Sequence, residues 1–298
     1  MSGWNSASLA SSFHHRIFFL AIRYGGRPVA YAMLVFVVFW YTMMPKVRRR
    51  SAPYIERRFP GSGAFRRWLR AYRLNLNFGL NLVDRAALGI LNDTEFTASE
   101  HDKTRIADLL SRGRGVILLT AHVGSWQTAL AALDFLDRPR NVVLYRAEGD
   151  VDRHYFDHRP DRSPIQVIDP AGPHGGTLEM YAALQRGEAL CISGDRILGS
   201  DRRNVSANFL GDPIALPTSI YRLASLTGAP VIVVFSRRVH GKRTHIWVED
   251  VIEVPADIDP QPEACRPYAQ RFALGLERYV AAFPHQYFNF YNIWDKEN

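Results

Sequence analysis

The sequence predicts an α/β protein: a mixed, mostly parallel sheet flanked by helices, with an N-terminal helical membrane-anchoring section ahead of it. Three observations carry that expectation. From Gly115 onward, short β-branched apolar runs alternate with helical patterns, as in strands that need helices to cover their faces. The 298 residues, 47% of them hydrophobic, suffice for one large core with a small helical appendage. The charge is also lopsided. Residues 1–73 carry 13 Lys/Arg against the single acid Glu56, a balance of +12, and the remainder balances at −4. All of the net +8 therefore belongs to the first quarter.

That quarter also holds the only long apolar run, sixteen uncharged residues between Pro28 and Pro45. A full span takes about 20 residues, so this run suits a tilted or half-inserted helix. Ten basic residues follow between Lys46 and Arg73, with Trp40, Tyr41 and Trp68 as interfacial aromatics. Such a cluster beside an apolar anchor favours an anionic phospholipid surface, at roughly 1 kcal/mol per well-placed charge. Nucleic acid is disfavoured because the basic stretch has no motif context. A cleavable signal peptide is disfavoured too, since arginines precede the run and bulky Thr42, Met43 and Met44 end it. The positive-inside bias is expected to keep the chain that follows on the cytoplasmic side of the membrane.

The remaining elements follow in order. A long helix is expected from Trp68 to Leu91, its Asn75, Asn77 and Asn81 polar enough to face a partner or head groups, and a short one from Asp102 to Ser111, stopped at Gly113. Strands are expected at 115–121, 141–146, 164–168, 189–194, 230–237 and 244–253. Helices are expected at 125–136, 176–186, 217–227 and 263–282, the third opened by Pro217 and closed by Gly228. With no repeat or low-complexity linker, the division is 1–95 for the anchoring section and 96–298 for the α/β domain.

Chemistry gathers at strand ends. In V-I-L-L-T-A-H-V-G-S-W-Q, residues 116–127, a buried run stops at His122 and a glycine-opened turn leads into the apolar helix pattern Trp126, Leu130, Leu133, Leu136. His122 thus falls at a strand's carboxyl end and a helix's amino end, where ligands bind and negative charge is favoured. Held by a side-chain acceptor such as Gln127, it reads as a general base. Arg146 closes another strand, Asp195 and Arg196 a third, and F-L-G-D-P-I-A-L-P at 209–217 makes a rigid bend containing Gly211 and Pro217. An arginine fork there suits a phosphate or carboxylate, and equally a structural Arg196–Asp195 or Arg146–Glu148 pair.

Other chemistry finds little support. Cys191 and Cys265 lie far apart, the former in an apolar run, so a buried inert thiol in a reducing compartment is expected. His154 and His158 lack a third ligand at metal-site spacing, and no metal is expected. There is no G-x-S-x-G elbow, P-loop or dinucleotide fingerprint, and no cofactor is expected.

Three segments, A-H-V-G-S-W-Q, the G-D-R at 194–196 and F-L-G-D-P-I-A-L-P followed by L-T-G-A-P-V-I-V-V, together with the ending P-H-Q-Y-F-N-F-Y-N-I-W, resemble the lysophospholipid acyltransferase superfamily. The resemblance is to its lipid A lauroyl/myristoyl acyltransferase-like branch, nearest the predicted acyltransferases found beside aryl-polyene pigment genes. It implies transfer of a fatty or polyene acyl chain from an acyl carrier protein or coenzyme A thioester to a membrane lipid or glycolipid. His122 matches the base of the superfamily signature of His, four residues, then Asp or Glu. Gln127 occupies the acid position, a departure, since an amide orients an imidazole but does not stabilise its charge. Either Asp195 or Asp201 supplies that charge, or the chemistry demands less of the base, or activity is lost in favour of a lipid-binding or scaffold role. A thioesterase is a third reading. Gly124 and Ser125 are the expected oxyanion donors, and Arg146 or Arg196 the expected phosphate ligand, with Asp195, Gly211 and Pro217 completing the substrate-binding set.

Overall fold

A computed structural model describes residues 12–91, 95–129, 138–144, 165–197 and 203–295, with backbone alone at 12–15, 127 and 128. Three helices come first: α1 (Ser12–Met43), α2 (Pro45–Arg58) and α3 (Ala64–Leu91). The apolar run is the second arm of α1, which breaks at Gly26, where φ is 66° and ψ −171°, just ahead of Pro28. Glycine reaches that backbone conformation without strain. The basic stretch is itself helical, with Pro45 in the first turn of α2, where the missing N–H does no harm. Sequence periodicity did not reveal α2, because its arginines conceal the few residues it buries, Ser51, Tyr54 and Ile55.

The α/β part runs β1 (Glu95–Thr97), α4 (Glu100–Ser111), β2 (Val116–Thr120), α5 (Trp126–Ala129), β3 (Arg140–Val143), β4 (Ile165–Ile168), α6 (Thr177–Gln185) and β5 (Ala189–Ser193). It continues with β6 (Asn204–Phe209), β7 (Asp212–Pro217), α7 (Ser219–Thr227), β8 (Val231–His240), β9 (Arg243–Ile252) and α8 (Arg266–Ala282). Seven strands form one sheet in the order β1-β9-β8-β2-β5-β3-β4, parallel throughout except for the β8–β9 hairpin. The mostly parallel expectation holds.

Two expectations change. The 209–217 segment is the turn and second strand of an antiparallel β6–β7 hairpin rather than a bend leading directly into a helix. Leu210 (φ 53°) and Gly211 (φ 87°) form its tip, which explains the glycine by backbone conformation. Pro217 ends β7, so α7 starts two residues later.

Strand β2 is buried on both faces, as a central parallel strand should be. Ile117 and Leu119 join the larger core under α7 and α8, and Val116 and Leu118 join a smaller one with Ile106, Leu109 and Leu110 of α4. Tyr54, Ile55, Ala71 and Leu74 place α2 and α3 in the larger core. A third cluster joins α1 to α3 through Ile22, Ala30, Leu34, Val38, Val83 and Ala87.

Candidate active site

Strand register assembles the site. β2 and β5 run parallel, with Thr120 opposite Ser193. The same offset carried two residues beyond each strand sets His122 opposite Asp195. The imidazole Nδ1–H donates to Asp195 Oδ1 at 2.7 Å, and the His122 backbone N–H donates to Oδ2 at 3.1 Å. A carboxylate accepts only, so this contact fixes the tautomer and leaves the lone pair on Nε2. The Asp195 side chain is 1% exposed and that of His122 15%. Burial alone would push the Asp195 carboxyl up. The His122 charge and hydrogen bonds, with the Arg196 charge, outweigh it and hold the carboxyl below its ordinary range. Trp126 meets the imidazole edge-on, with ring centroids 5.0 Å apart.

The turn after His122 is gripped by the chain's last segment. Phe288 N–H donates to His122 O at 2.7 Å and Gly124 N–H to Gln286 O at 2.8 Å, around a bridge between Val123 and Tyr287. The Gln286 amide then pairs with both the N–H and the carbonyl of Arg238 on β8. The Gly124 N–H, expected as an oxyanion donor, is thus engaged by the Gln286 carbonyl. Its φ of 51° and its packing explain the glycine instead, because an added Cβ would lie 1.9 Å from Ser236 O. Gly124→Ala is expected to abolish accumulation of folded protein or displace the His122 turn, read as a lost thermal transition or a collapsed rate.

Ser125 is buried, and its hydroxyl donates to Asn81 Oδ1 of α3 at 2.7 Å. Arg196 is turned toward the terminal strap, donating to Phe288 O at 3.0 Å with its guanidinium over the Tyr291 ring. The hydroxyl of Tyr291 donates to Asp195 O at 3.4 Å. Next to Gly211, Leu210 N–H bonds Glu277 of α8 and Asp212 pairs with Arg57 of α2, so the hairpin tip is tied to helices. The structure thus brings together His122, Gly124, Ser125, Asp195 and Arg196, and gives Gly211 and Pro217 places in the hairpin. Arg146, Asp201, His154, His158 and the Gln127 side chain lie outside the described residues. The sequence marks Asn81 as polar enough to face a partner or head groups but does not link it to Ser125, and it does not single out Gln286. The sole cue was the density of aromatics after the last helix, which signals a packed rather than a free terminus.

At the start of the strap, His285 stacks on Phe59 and its pKa is pushed down to about 4, by burial first and then by the charges of Arg73, Arg70 and Arg58. An unfolded histidine takes up its proton near 6.5, so the unfolded state binds more protons between those values. Stability is expected to fall as pH drops from about 6.5 to about 4, less steeply in His285→Phe, as thermal melts across that range would show.

Beneath α5, an apolar pocket adjoins the site, lined by Leu118, Thr120, Trp126, Cys191, Val234 and Ile246. Burial pushes the Cys191 thiol up to about 12, so it is an inert lining group. Among the described residues no cluster of His, Cys, Asp and Glu could hold a metal ion.

A parallel-rich sheet with a buried histidine–carboxylate pair beyond its strand ends gives this α/β protein one candidate site. The model of the bacterial lipid A biosynthesis acyltransferase family matches residues 75–296, and the chain belongs to that family. It is an acyltransferase with lipid-type substrates. Among solved structures, the chain is similar to the 1-acyl-sn-glycerophosphate acyltransferase PlsC from Thermotoga maritima, at 12% identity and a TM-score of 0.39, over 87% of this chain and 98% of that one. No curated protein matches the sequence.

Proposed function

We propose that the protein transfers a fatty or polyene acyl chain from an acyl carrier protein or coenzyme A thioester to a lipid or glycolipid acceptor in the membrane. His122 is the general base, and Asp195, rather than residue 127, is the carboxylate that orients and charges it. The observation carrying this reading is the 2.7 Å Nδ1–Oδ1 contact, in which a nearly inaccessible carboxylate meets the imidazole.

The chemistry needs no cofactor and no covalent intermediate, because a thioester is already activated. His122 Nε2 takes the proton of the acceptor hydroxyl as its oxygen attacks the thioester carbon. The C–S bond breaks, and the proton passes from the imidazolium to the departing thiolate. Asp195 stabilises the transient imidazolium. The Ser125 N–H, in the turn after His122, is a candidate oxyanion donor. Donors of this kind are cytoplasmic, which fits a catalytic part on the inner face of the plasma membrane.

Purified full-length protein, supplied with acyl-carrier-protein or coenzyme A donors and extracted membrane lipid, should yield acylated lipid and free thiol in equal amounts. Free fatty acid without acceptor would instead identify a thioesterase. No turnover with either donor would leave a lipid-binding or scaffold role.

A further inference from the structure

The strap that follows the last helix forms no helix or strand of its own, yet it holds both halves of the histidine–carboxylate pair. The backbone of Phe288 stands between the two strand ends. Its N–H donates to His122 O at 2.7 Å, beyond β2, and its carbonyl accepts from the Arg196 guanidinium at 3.0 Å, beyond β5. The Tyr291 hydroxyl adds a bond to Asp195 O. The spacing of residue 122 from residues 195 and 196 is therefore set in part by a segment that belongs to neither strand.

The strap is itself anchored, and on the side of β8 Gln286 supplies the anchor. The β2–β8 ladder runs from Ile117–Val231 to Leu119–Val233, whereas β8 continues to His240. Backbone groups of β8 that turn away from β9 past that point need other partners. The Tyr279 hydroxyl donates to Ser236 O at 2.9 Å. The Gln286 amide then takes both backbone groups of Arg238. Its Oε1 accepts from the Arg238 N–H at 2.9 Å, and its Nε2 group donates to the Arg238 carbonyl at 3.0 Å. A side-chain amide carries one acceptor and one donor group side by side, so it exchanges two bonds with residue 238 as a paired strand residue would. Arg238 is fixed in turn, since its guanidinium lies 2.5 Å from Asp84 of α3.

From that anchor a single bond reaches the catalytic turn. Gln286 O accepts from the Gly124 N–H at 2.8 Å, two residues after His122. One residue thus grips β8 with its side chain and the His122 turn with its backbone. Glutamine is suited to this because it is neutral and offers both a donor and an acceptor. A glutamate of the same length keeps the acceptor and loses the donor.

We propose that Gln286 is a positioning residue for acyl transfer. Its amide pins the strap to β8, and the strap holds the His122 turn in register with Asp195. Its side chain bonds the backbone of β8, so it acts through His122 rather than on substrate. The proposal rests on the reading of His122 as the general base. A reacting group displaced by about 1 Å loses about 10²-fold in rate, which sets the scale of the effect.

Gln286→Met tests it, because methionine keeps the length and packing of the side chain and removes both hydrogen bonds. In purified full-length enzyme with an acyl-carrier-protein or coenzyme A donor, this variant should lower kcat by about ten- to a hundredfold, with KM for donor and acceptor within about threefold. Its thermal transition should be kept. Gln286→Glu should lower kcat likewise, since its second oxygen meets the Arg238 carbonyl with no proton between them. A kcat within about twofold of wild type in either folded variant overturns the inference. Loss of the thermal transition in both overturns it too, because Gln286 would then serve folding alone. His122→Ala, assayed alongside, keeps the two readings apart. A wild-type rate in His122→Ala removes the catalytic assignment and this inference with it. An inactive His122→Ala beside a fully active Gln286→Met removes the positioning role alone.

Discussion

His122→Ala is expected to reduce acyl transfer by about 10⁴-fold or more while the protein remains folded. Among the described residues, Asp195 is the other titratable group in contact with the ring, and its carboxyl is held below its ordinary range, too weak a base to take the proton. The backbone bond from residue 122 to Asp195 Oδ2 survives the change, as do the strap bonds from Phe288 and Gly124. Loss of the ring leaves the Asp195 carboxylate one partner short, which costs about 1–3 kcal/mol. Initial rates with acyl-donor thioesters, set beside a thermal melt, separate the two effects. An unchanged rate would remove His122 from the mechanism.

Asp195→Asn is expected to lower kcat by about 10³–10⁴-fold with little change in KM, because the pair acts in the transition state rather than in ground-state binding. An asparagine of the same shape still accepts from Nδ1–H, but it adds no charge to stabilise the imidazolium. Gln127→Glu and Gln127→Ala should each alter the rate by less than about tenfold, since Asp195 already holds the ring. The reverse ranking, with Gln127→Ala worse than Asp195→Asn, would transfer the acid role to position 127. The same variant has a pH signature. Asp195 titrates lower in the folded than in the unfolded chain, so its contribution to stability is complete above the ordinary carboxylate range and fades as pH falls through the depressed value. Asp195→Asn should lack that part of the acid destabilisation, as melts from neutral to acidic pH would show.

The structural reason residue 127 was the natural suspect is instructive. Sequence spacing sees neighbours along a helix, and Gln127 lies one turn from the strand end that carries His122. Asp195 is 73 positions away, and nothing local links the two. Only the pairing of β2 with β5 makes them adjacent, and that pairing depends on β5 inserting between β2 and β3. The G-D-R after β5 was visible as a polar strand end, yet its division of labour was not. Asp195 faces the histidine, whereas Arg196 turns back to the strap and the Tyr291 ring. A cation reserved for a phosphate by its residue type is engaged by a carbonyl that sequence could not place.

Hydrophobic periodicity and punctuation, by themselves, determined most of the elements in the α/β half, the mostly parallel sheet, the position of His122 at a strand end and the segregation of positive charge in the first quarter. These are local properties, written in side-chain period and turn chemistry within a dozen residues. The tertiary structure decided the rest: the partner of His122, the engagement of the Gly124 N–H by Gln286, the hairpin at Gly211 and the packing of α1 along α3. Each depends on contacts between segments distant in the chain. Their register is fixed by burying two faces of one sheet at once, a constraint that no single stretch of sequence contains.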